Sequence, residues 1–130
     1  IHIIQQQGGL ISLPHPYDRM RRGVATGPME LLLTLLPLAD IAETFNARNV
    51  RSSYDDHALE LATAHSLVPV AVSDAHTPQE LGTTYVEMPD FDGTPESFKD
   101  ALTHGHLITK RASPLTHLYS TFNKLIKRFE

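Results

Sequence analysis

Short apolar runs alternate with longer stretches of helical period along this chain. The pattern predicts strand–helix units around a largely parallel sheet. Ile1–Gln7 reads as the end of a helix stopped by Gly8-Gly9. Leu10–Leu13 reads as a short strand closed by Pro14-His15-Pro16, because proline cannot donate to a ladder. Tyr17–Gly27 is polar and basic, and therefore a loop. Met29–Leu36 follows Pro28 as a helix and stops at Pro37. Asp40–Phe45 is a second strand, and Ser52-Ser53 cap a helix over Asp55–Ser66. Val68–Val72 is continuously apolar and rich in valine, as a strand buried on both faces should be. Thr77 and Glu80 form a capping box, and Thr83–Met88 is a fourth strand. Thr94-Pro95 opens a helix to about His104, and Leu107–Thr109 is a last short strand. Leu115–Phe129 carries apolar residues at helical spacing, which predicts a closing helix over 114–130.

The 130 residues suit one domain, and 41% hydrophobic content suits a packed one. No apolar run approaches the roughly 18 residues of a membrane span. The absence of cysteine rules out disulfides and thiolate metal sites, and fits a reducing compartment such as the cytoplasm. A net charge of −4 argues against a long nucleic-acid partner and leaves only a short one. Ile1-His2-Ile3-Ile4 has neither an initiator methionine nor a signal sequence, and reads as the interior of a longer protein. Eight histidines against no tryptophan direct attention to metal or phosphate chemistry.

Three successive strands end in polar clusters: Pro14-His15-Pro16, Glu43-Thr44-Phe45-Asn46 and Ser73-Asp74-Ala75-His76. Parallel strands share one carboxyl-end rim, where α/β proteins place their sites. Imidazole and carboxylate together are ligands for Zn, Mn or Fe. In extended chain Asp74 and His76 point the same way. Each residue also has a plainer reading: His15 as a strand-end hydrogen-bonding group, Asp74 as a turn residue, Glu43 as half of an ion pair, and Arg48 and the Arg19-Arg21-Arg22 run as solvated charges.

These motifs, followed by Thr77-x-x-Glu80-Leu-Gly82, resemble the polymerase-and-histidinol-phosphatase (PHP) superfamily over roughly residues 1–110. The resemblance implies an α/β fold, the C-terminal portion of a distorted (β/α)7 barrel, with residues 1–130 forming part of one domain. It implies His15, Asp74 and His76 as metal ligands, with Glu43 and Asn46 beside them and Arg19 and Arg48 as phosphate contacts. It implies a metal-dependent phosphoesterase that hydrolyses a nucleotide, an oligonucleotide end or a small phosphorylated metabolite with hydroxide held on the metals. Histidine ligands favour Mn, Fe or Zn over Mg. The family's N-terminal His-x-His and the ligands after it do not occur here. The chain is therefore expected to need a missing N-terminal half for activity, and its open sheet edges invite self-association. An amidohydrolase-like metal enzyme and a non-catalytic PHP-like scaffold are the alternatives; Arg19 and Arg48 beside the rim favour phosphate.

Overall fold

The computed structural model describes residues 1–113. The closing helix expected over 114–130 lies outside the described residues. Helix α1 (His2–Gln6) ends as the glycines require: Gly8 adopts φ +77°, and the amides of Gly8 and Gly9 bond back to the Gln5 and Ile4 carbonyls at 2.9 Å. Then follow β1 (Ser12–Leu13), α2 (Met29–Leu35), β2 (Ile41–Asn46), α3 (Ser52–Ala64), β3 (Val68–Val72), β4 (Tyr85–Glu87), α4 (Pro95–Thr103) and β5 (His106–Ile108). Strands β1, β2 and β3 form a parallel sheet in that order.

The sheet is covered on both faces. Leu13 and Ala42 pack on one side with Leu32, Leu36, Leu61 and Ala62 of the helical layer. Ile41, Val68 and Val70 pack on the other with Leu102 and Phe98 of α4. This explains why β3 shows no alternation of apolar and polar residues. Asp40 pins α4 to the sheet: its carboxylate meets Lys99 Nζ at 2.8 Å and accepts from the Ile11 amide at 2.9 Å. Burial works against the charge of Asp40, but these donors outweigh it and hold its pKa below the usual carboxylate value.

Two expectations change. The strands do not all join one sheet, because β4 and β5 make a separate antiparallel ribbon with Val86 opposite Leu107. Gly105 permits this. A Cβ there would lie 2.5 Å from the Val86 side chain, so only glycine lets the chain turn straight from α4 onto β4. Helix α3 starts at Ser52, with Arg51 and not a serine at its N-cap. Asp55 thus falls in the first turn, where a carboxylate suits the helix dipole, and bonds outward to the Asn46 amide and Asn49 Nδ2. Thr94 does cap α4, and Thr77 and Glu80 do form the capping box. Among the described residues no helix is long and apolar enough to cross a membrane.

Candidate functional site

The carboxyl ends of β1, β2 and β3 bring His15, Glu43, Asn46 and Asp74 together. A bulge makes this possible. Glu43 pairs with Val70 but Phe45 pairs with Ala71, so Thr44 is an extra residue on β2. Side chains alternate along a strand, and Glu43 and Asn46, three apart, would otherwise face opposite ways. The bulge restores them to one side, where Asn46 Nδ2 donates to Glu43 Oε2 at 3.0 Å. The same Glu43 oxygen accepts from the His15 backbone amide at 2.8 Å, which ties the β1 end to β2. Asn46 Nδ2 also reaches Asp74 Oδ2 at 3.3 Å, which ties β2 to the β3 end.

His15 and Asp74 both sit in left-handed backbone, with φ +29° and +49°. Residues other than glycine rarely do so, and such positions gather where structure serves a site. His15 Nδ1 is buried and has no hydrogen-bond partner. A buried imidazole nitrogen without a partner is a group that a divalent metal would satisfy. Because Asp74 is left-handed, the chain to His76 is not extended, and the alternation argument for that pair does not apply. The His76 ring instead folds back, with Nδ1 2.7 Å from the Asp74 carbonyl and 3.8 Å from Asp74 Oδ1. A carbonyl can only accept, so Nδ1 carries the proton and Nε2 keeps the lone pair a ligand needs. Among the described residues, no three His, Asp or Glu side chains are gathered closely enough to hold a metal.

Arg21 is the site residue that sequence reasoning passed over in favour of Arg19 and Arg48. Its Nε meets Asp18 Oδ2 at 2.6 Å and its Nη2 meets Asn49 Oδ1 at 2.8 Å, while Nη1 bonds the Asp74 carboxylate. Asp18 is almost wholly buried, which opposes its charge, yet Arg21 and the Met20 amide hold its pKa below the usual range. The i, i+3 spacing of Asp18 and Arg21 was the signal available in the sequence. Arg48, expected at phosphate, is buried and meets Glu80 Oε1 at 2.7 Å. Glu80 Oε2 in turn accepts from the His76 and Thr77 amides, both at 2.9 Å, and so fixes the loop that carries His76. Arg19 is exposed on the Tyr17–Gly27 loop.

That loop packs directly under the β1 end. A Cβ on Gly23 would lie 2.3 Å from the His15 carbonyl oxygen and 2.4 Å from that of Pro16. Backbone cannot step aside as a side chain can. Gly23→Ala should therefore cost about 2 kcal/mol and shift the amide resonances of His15 and Glu43. Urea unfolding with NMR would check both; a midpoint equal to the parent's would show that the loop yields freely.

Residues 54–107 match the PHP-associated family. The matched region contains Asp74 and His76 but neither His15 nor Glu43. An uncharacterized protein of Methanocaldococcus jannaschii is 33% identical over 107 residues, which is 76% of this chain and 45% of that protein. The chain thus spans less than half the length of this relative. No solved structure matches. Residues 54–107 of the chain thus form a PHP-associated segment, consistent with the C-terminal region of the PHP superfamily.

Proposed function

We propose that this chain is the C-terminal part of a divalent-metal phosphoesterase with a site on the β1–β2–β3 rim. The observation that carries the reading is the buried, partnerless Nδ1 of His15, a residue whose backbone amide bonds Glu43, which Asn46 links to Asp74. In this reading His15, Asp74 and His76 hold the metal, Mn, Fe or Zn before Mg. Glu43 positions His15 by its backbone, and Asn46 holds the Glu43 and Asp74 carboxylates in register. Bound metal would supply Lewis-acid stabilisation of charge on a phosphate ester and activation of water. Arg48 is buried with Glu80 and Arg19 lies exposed on the Tyr17–Gly27 loop, so neither is assigned to the phosphate at this rim. The substrate class is a small phosphorylated molecule.

The remaining ligands would come from an N-terminal half that continues the sheet toward a (β/α)7 barrel. Two features support this. Strand β1 is an edge among the described strands. Beside it a cavity of about 640 Å³, bordered by Ile4, Leu31 and Leu35, reaches His15 and Arg21. The chain equilibrated with Mn or Zn and then dialysed should retain metal by elemental mass spectrometry. Asp74→Asn and His76→Ala should each lose about tenfold in affinity, the size of effect expected when one ligand or its orienting group is removed. The full-length natural protein should hydrolyse p-nitrophenyl phosphate and lose that activity with the same changes. Metal retained equally by the variants, with no phosphatase activity at full length, would leave the scaffold reading in its place.

A further inference from the structure

A second cavity lies on the other side of the Tyr17–Gly27 loop. It measures about 470 Å³ and is bordered by Tyr17, Arg19, Arg22, Tyr54 and His57, with Thr26 at its edge. That volume is within the range of small-ligand sites. Its lining is unlike the rest of this acidic chain, with two guanidinium residues, three aromatic rings and no carboxylate. Among the described residues, Arg19 and Arg22 form no ion pair, whereas Arg21 between them is fully engaged. The loop therefore divides its cations by task. Arg21 is turned to the rim, and its two neighbours are left for solvent or ligand. Arg22 holds left-handed backbone, φ +55°, and borders both this cavity and the one that reaches His15.

The rings are mutually placed: Tyr17 and His57 have centroids 5.4 Å apart, inclined at 46°. Tyr17 belongs to the loop and His57 to α3, so this contact fixes the wall across two elements. Burial and the charge of Glu60 hold the Tyr17 hydroxyl above its ordinary pKa of 10.0, so it is a neutral donor at neutral pH. Aromatic faces stack planar rings, and unpaired guanidinium groups recognise phosphate by paired hydrogen bonds. We infer that this cavity binds a nucleoside monophosphate, its base against Tyr54 and His57 and its phosphate on Arg19 and Arg22. The inference concerns binding and needs no metal, so it stands or falls apart from the phosphoesterase reading.

The test is an NMR titration of this chain in EDTA with adenosine 5′-monophosphate, and with adenosine and inorganic phosphate separately. The nucleotide should shift the amides of Tyr17, Arg22, Tyr54 and His57 saturably. Adenosine and phosphate should each bind at least about tenfold more weakly, since each offers half of the recognition. Arg19→Gln with Arg22→Asn should weaken nucleotide binding about tenfold or more. Asparagine is chosen because it tolerates left-handed backbone. Tyr54→Leu should weaken the nucleotide and adenosine but not phosphate. No saturable shift with the nucleotide would overturn the inference, as would shifts unchanged by the double arginine variant. Equal binding of phosphate and nucleotide would reduce the cavity to a bare anion site and overturn the nucleotide assignment.

Discussion

Asn46→Ala should lower the stability of this protein by about 4 kcal/mol, the largest loss expected from a single truncation here. Asn46 has no exposed surface. Its amide nitrogen donates to Glu43 and Asp74, and its oxygen accepts from the Arg48 amide at 2.9 Å. Truncation would leave two carboxylates and a buried amide without these bonds, and in a poorly hydrated site each loss costs more than the bond itself contributed. It would also disconnect the ends of β2 and β3. The variant should therefore unfold at a lower urea concentration with an unchanged slope. Asn46→Asp separates shape from chemistry. It keeps the volume but places a third carboxylate beside Glu43 and Asp74, whose two like charges outweigh the one Arg21 guanidinium 3.4 Å away and raise its pKa. The deficit relative to the parent should be largest at neutral pH and shrink as pH falls and the introduced group takes up a proton. An Asn46→Ala midpoint within about 1 kcal/mol of the parent, near the scale of one ordinary hydrogen bond, would show that this network is not what holds the rim.

Glu80→Ala should be nearly as severe, at about 3 kcal/mol, because it removes the carboxylate that the buried Arg48 guanidinium meets. It should also have a local effect. Glu80 caps the amides of His76 and Thr77, so both should exchange with solvent faster in the variant than the amides of β3 do. The pH dependence follows from the environment of Glu80. Burial raises its pKa, but hydrogen bonds from His76 and Thr77 together with the Arg48 charge outweigh burial and set it below its ordinary 4.5. A depressed carboxyl contributes stability that is complete above the unfolded value and is lost as pH falls through the folded one. The parent should thus weaken steeply on acidification below about pH 4.5. Glu80→Gln, with no charge to lose, should start less stable and fall less steeply. Parallel acid curves for parent and variant would assign the acid sensitivity to Asp18 and Asp40, whose pKa values are likewise held down.

The sequence by itself determined the local elements whose causes are local. Gly8 past the end of α1, Thr94-Pro95 at the start of α4, the Thr77–Glu80 capping box and the valines of β3 each dictate backbone within a few residues, and each appears as expected. The placing of His15, Asn46 and Asp74 at strand ends was legible for the same reason, since proline and polar clusters terminate strands, whereas Glu43 lies within β2. Tertiary structure alone decided how those ends join. The Thr44 bulge, invisible in a string of β-formers, turns Glu43 and Asn46 to one side. The roles of the arginines also reverse expectation. Arg48 goes inward to Glu80, Arg21 goes to Asp74, and Arg19 and Arg22 keep to the loop cavity. Arginines in a sequence look alike, and only the position of a carboxylate distant along the chain, 53 residues away for Arg21, settles which of them is paired. The antiparallel ribbon was decided in the same way, by a close approach at Gly105 that no local pattern announces. Local backbone chemistry is written in neighbouring residues, whereas charge pairing and strand partnership depend on groups that only the folded chain brings together.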